Sequence, residues 1–125
     1  MFKVPVSNGE LIDKITILKI KKQKINNNDK LVHIENELNE LNLYLDILLK
    51  KYDLNNLIKK LEDVNLKLWD IEDNIRIKEK KKEFDDEFIQ IARSVYINND
   101  KRCAIKLEIN KLTKSFLVEV KSYEE

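Results

Sequence analysis

The sequence predicts an all-α protein, and three observations predict it. One Gly and one Pro in 125 residues leave too little turn chemistry for a β-sandwich or barrel. Leu (17), Lys (21) and Ile (16) dominate the composition. Two consecutive stretches also place apolar residues at strict 3-4 spacing, the period of a helix face. A chain of this size buries roughly two-thirds of the surface its unfolded form exposes, so residues 1–125 are expected to form a single helical domain.

The segment 2–6 alternates Phe2, Val4 and Val6 with Lys3 and Pro5, a strand-like pattern that Pro5 would confine to an edge. Ser7 and Glu10 then form S-x-x-E, a capping box that starts a helix near Asn8. This helix is expected to turn Leu11, Ile12, Ile15, Leu18 and Ile25 inward and to end at Asn26, Asn27 and Asn28.

Leu31, Ile34, Leu38, Leu41, Leu45, Leu48 and Tyr52 form the first long seam; Leu54, Leu57, Leu61, Val64, Leu68, Ile71 and Ile75 form the second. The phase jumps between Tyr52 and Leu54. Two helices, at about 30–52 and 54–80, joined by a tight turn with Asp53 as N-cap, are therefore expected to pack as an antiparallel coiled-coil hairpin. The run Lys78 to Lys82, broken by Glu79, suits a helix C-terminus.

Asp85 predicts the next N-cap, with Phe84 and Ile89 as a hydrophobic staple and Phe88, Ile91, Ala92 and Val95 inward. One or two C-terminal helices follow. Asn98, Asn99 and Asp100 suggest a break before a fifth helix bearing Ile105, Ile109, Leu112 and Phe116. A continuous helix would instead place Asn98 and Arg102 on its apolar seam. Val118 to Lys121 alternates and could pair with the N-terminal strand.

The inventory excludes several chemistries. Gly9 alone cannot supply a phosphate-binding glycine loop or a nucleophile elbow. His33 and Cys103 cannot build a zinc site; Cys103 reads as a small buried hydrophobe and His33 as exposed. No catalytic residue and no cofactor is expected. A net charge of +1 offers no bulk attraction to nucleic acid or an anionic membrane. No apolar run spans a bilayer and no signal-peptide core opens the chain, so a cytoplasmic protein is expected.

The candidate site rests on Arg usage. Only Arg76, Arg93 and Arg102 interrupt a strong bias toward Lys, which suggests positions that need a planar, bidentate fork. Trp69, Glu72, Asp73 and Arg76 share one helical stripe. Arg93, Tyr96 and Asp100 line a second, while Arg102, Lys106 and Asn110 line a third. Together Trp69, Glu72, Asp73, Arg76, Arg93, Tyr96, Arg102 and Lys106 form either a structural ion-pair lattice, the favoured reading, or a pocket for a small anion such as a nucleotide or sugar phosphate. In the lattice, Glu72 is expected to pair with Arg93 and, within its own helix, with Arg76, and Glu72 and Asp73 are the expected partners of Arg groups from other helices. Exposed apolar residues (Leu43, Ile47, Leu49, Ile58, Leu66) point to a non-catalytic interaction module that forms a homo-oligomer, expected to be a dimer, or docks on a helical partner.

Two family resemblances accompany this reading. The carboxylate pairs Glu37-x-x-Glu40 and Asp70-x-x-Asp73, with the texture of Glu62-Asp63-Val64 leading to Leu68-Trp69, resemble the Mg²⁺-dependent all-α nucleotide pyrophosphohydrolases, although Asp70 stands where that family has Glu. That reading ranks third. The blocks GELIDKITILKIKK (9–22), LWDIEDNIR (68–76), ARSVYINNDKRCAIKLEIN (92–110) and VKSY (120–123) resemble, in order, those of a family of small bacterial and phage proteins of unknown function. Asn74, Lys101, Cys103 and Leu107 depart from its typical blocks. This second resemblance implies no activity, but Trp69, Asp73, Arg76, Arg93, Tyr96, Asp100 and Arg102 all fall inside its blocks.

Overall fold

The computed structural model describes residues 1–120, and its secondary structure is four helices. They are α1 (Asn8–Lys24), α2 (Asn28–Lys51), α3 (Asn55–Lys81) and α4 (Asp86–Leu112). Helix α1 begins as the capping box requires: Ser7 accepts a hydrogen bond from the Glu10 amide at 3.0 Å. Asn27 does the same for α2 through the Lys30 amide, and Asp85 for α4 through the Phe88 amide at 2.9 Å. The N-cap of α3 is Leu54, which has no capping side chain. Asp53, one residue earlier, accepts from the Asn55 amide at 3.3 Å instead of capping the helix itself.

Helix α3 closes on Lys82 in the left-handed region at φ 54°, and the Glu83 amide returns to the Lys78 carbonyl at 3.0 Å. Phe84 sets its ring edge-on against Phe88 with centroids 5.2 Å apart, while Ile89, its expected staple partner, remains exposed. Lys78 folds over this corner and meets Glu83, Asp85 and Glu87. Its hydrogen bond to Asp85 holds the ammonium well above its usual range against a smaller opposing effect of burial. The same bond, aided by the Phe88 amide, lowers the Asp85 carboxyl.

Helix α1 is the centre of the fold and packs against α2, α3 and α4, while α4 lies along α3. The expected coiled-coil hairpin is corrected here: the backbones of α2 and α3 do not pack on one another. Helix α1 carries apolar residues on more than one face (Leu11, Ile12, Ile15, Ile17, Leu18, Ile20), so one neighbour cannot cover them all. Its Ile12, Ile15 and Leu18 form one core with Ile34, Leu38 and Leu45 of α2, Leu54 and Leu61 at α3, and Ile109 of α4. Each such side chain contributes about 1.5–3 kcal/mol relative to an exposed one.

Helix α4 is continuous, which removes the expected break at Asn98, Asn99 and Asp100; one C-terminal helix is present, not two. Intrinsic preference lost to packing: Asn98 is buried at the contact where a terminus would have exposed it. No strand occurs among the described residues. Residues 2–6 and 116–120 run outside any regular element, and Lys121 lies outside the described residues. Cys103 is exposed, not buried.

Candidate functional site

Among the described residues seven polar ones are buried: Ser7, Asp13, Thr16, Asn65, Asn98, Asn110 and Thr113. Most of them meet along the contacts of α1 with α3 and α4. At the centre is Asp13, fully buried on α1. Arg102 of α4 straddles its carboxylate, with Nε donating to Oδ1 at 2.9 Å and the second guanidinium nitrogen to Oδ2. Asn65 of α3 donates to Asp13 Oδ1 at 2.9 Å and to the Thr16 hydroxyl at 2.8 Å. Thr16 returns its own proton to the Asp13 carbonyl. A buried carboxylate is tolerated when its lone pairs are filled, and three side-chain donors fill them here. The bond to Asp13 raises the Arg102 pKa further against the opposing effect of burial, so the guanidinium stays charged.

One turn along α4, Lys106 bonds to Glu10 and stands 3.8 Å from Asp13 Oδ2. A further turn on, Asn110 accepts from the Gly9 amide at 2.7 Å and donates to Glu119 at 3.0 Å; Ser7 also donates to Glu119. Burial would raise the Glu119 carboxyl, but hydrogen bonds from Ser7, its own backbone amide and Asn110 outweigh that and hold it below the usual range. Gly9 makes this approach possible: a Cβ there would lie 2.5 Å from the Lys106 carbonyl oxygen.

The expected cluster is divided by this arrangement. Arg102 and Lys106 turn to Asp13 and Glu10 of α1, not to Glu72 and Asp73. Arg76 pairs within its own helix, to Glu72 at 3.2 Å, and this exposed pair contributes about 0.3–0.5 kcal/mol. Asp73, Arg93 and Tyr96 are exposed, and Trp69 is half-buried. The single face proposed for Arg102, Lys106 and Asn110 is present, and all three side chains reach α1 or its cap.

Asp13, Thr16 and Asn65 escaped the sequence reading because each sits beside a seam residue and reads as exposed. The available signal was α1 itself: apolar residues on more than one face of a helix call for more than one neighbour, and a short polar side chain between such faces is then enclosed.

The carboxylate pairs Glu37/Glu40 and Asp70/Asp73 lie on α2 and α3, whose backbones do not pack on one another, and Glu37 is bound to Lys14 at 3.0 Å. No group of three or more His, Cys, Asp or Glu residues suited to a metal ion occurs among the described residues. Among the described residues no helix is long and apolar enough to cross a membrane.

Fold and site together define an all-helical protein in which a central helix is locked to its neighbours by a buried polar network. The chain belongs to the family of unknown function DUF6165, whose family model matches residues 2–125. No curated protein and no solved structure matches it.

Proposed function

We propose that the chain is a non-catalytic helical interaction module that works by self-assembly in the cytoplasm. The observation that carries this reading is the apolar surface left outside the core. On α2, Leu43, Tyr44 and Ile47 are 63%, 49% and 54% exposed, and Phe2 and Val4 of the N-terminal segment are exposed as well. Tyr44, Ile47, Phe2 and Val4, with Leu11 and Leu41, line one open groove between that segment, α1 and α2. Contiguous apolar surface of this kind marks association sites. Two of the four cations of the candidate anion cluster are engaged elsewhere, since Arg102 and Lys106 already hold carboxylates of α1. Sedimentation across a wide concentration range tests the reading. The expected mass is a multiple of 14.9 kDa; a monomer at every concentration would refute it. Leu43→Lys with Ile47→Lys is expected to shift the assembly toward monomer with helicity retained.

A further inference from the structure

Helices α3 and α4 have 27 residues each and α1 only 17, so the α3–α4 hairpin extends roughly 15 Å beyond what α1 could cover. The buried residues of α3 end at Ile71, and those of α4 begin at Asn98. Between 72 and 97 no residue is buried, although this arm carries Ile75, Ile77, Phe84, Phe88, Ile89, Ile91 and Val95. A two-helix arm without an interior of its own gains most by burying one face against another helical surface.

The outer face of α3 says what that surface is. Asp70, Asp73, Ile77 and Lys80 recur at spacings of three, four and three, and Lys81 stands four after Ile77, which puts them on one stripe, and all five are exposed. Asp73, Ile77 and Lys80 line a common shallow depression together with Arg76 and Glu79. Along this stripe the charge runs from acidic, through one apolar residue, to basic. Reversed end for end, such a stripe is complementary to itself.

We propose that the arm is a homodimerisation element in which the outer faces of α3 from two copies pair antiparallel about a two-fold axis at Ile77. Ile77 then meets its own equivalent and Asp73 of each copy faces Lys81 of the other, with Lys80 nearer the axis and Asp70 about a turn farther out, on the same stripe. A two-fold interface uses one patch twice, so the single charge gradient supplies both sets of ion pairs. Charges flanking an apolar seam set orientation and partner choice in paired helices. This inference rests on the self-assembly reading and assigns it a surface distinct from the α2 groove.

Charge exchange tests it. One variant carries Asp70→Lys and Asp73→Lys, the other Lys80→Glu and Lys81→Glu. Each alone is expected to dissociate at least about tenfold more readily than the unmodified chain in sedimentation at low salt, while circular dichroism shows retained helix. Mixed one to one, the two are expected to dimerise again, because every facing pair is then opposite in sign. Recovery on mixing also separates the effect from any loss of stability in either variant. Assembly that ignores these exchanges but yields to Leu43→Lys with Ile47→Lys would overturn the arm interface and leave self-assembly standing. A wild-type chain that is monomeric throughout would overturn both.

Discussion

Arg102 and Asp13 lie 89 residues apart in sequence, yet the guanidinium of one covers both carboxylate oxygens of the other inside the protein. The pair fixes the register of α4 on α1. Lys106 on Glu10 and Asn110 on the Gly9 amide continue that register one and two turns further. Hydrophobic contact alone would let two apolar helices slide; this ladder of charged and amide groups allows one alignment.

Removing the guanidinium should therefore cost more than any surface ion pair. Arg102→Met leaves Asp13 charged and poorly compensated, with a loss of about 3–5 kcal/mol expected in urea unfolding. Arg102→Lys keeps the charge but loses the fork, and about 1–3 kcal/mol is expected. Arg76→Lys, at an exposed pair, should change stability by less than about 0.5 kcal/mol. Equal losses at Arg76 and Arg102 would show that the buried pair has no special weight.

Gly9→Ala is expected to destabilise although α1 is a helix, where Ala is ordinarily preferred to Gly by about 1 kcal/mol. The added methyl would meet a backbone oxygen of α4 at 2.5 Å, and a backbone cannot rotate aside. A loss of about 1–3 kcal/mol follows if the two helices are pushed apart. Thermal unfolding that gave a gain would mean that α1 and α4 are less close than this.

Asn98 is buried, and among the described residues its Oδ1 meets no donor, while its Nδ2 bonds back to the Ser94 carbonyl. Replacing it with Leu should raise stability by about 1 kcal/mol, because an unpaired buried amide oxygen is lost and apolar contact is gained. Denaturant midpoints decide the sign. A clear loss would indicate that the oxygen has a partner, such as an ordered water.

Acid should loosen the cap of α1. The Glu119 carboxyl titrates below its ordinary value of 4.5 in the folded chain, so the unfolded chain binds its proton first as pH falls. Its contribution is complete above about pH 5 and is lost as pH drops through the folded value. Glu119→Gln should flatten the stability–pH curve below about pH 5. An unchanged curve would show that other carboxylates govern acid unfolding.

Sequence alone determined the class and most of the punctuation of this protein. Scarcity of Gly and Pro, together with the apolar period, required helices. Ser7 and Asp85 mark the starts of α1 and α4 to within a residue, because capping is local chemistry between a side chain and an amide three positions away. Membership of a family of unknown function was also visible in the blocks around Gly9, Trp69 and Arg102. Partner choice was not. The two strongest seams suggested that α2 and α3 pair, but periodicity describes one helix at a time and does not say which neighbour takes its apolar face. Tertiary structure gave that role to α1, whose apolar residues lie on more than one face and so draw all three other helices. The same fact decided the site. Arg102 looked like a partner for Glu72 and Asp73, yet burial of α1 left Asp13 in need of a cation, and a charge enclosed in protein claims its counterion more strongly than two carboxylates that water already solvates.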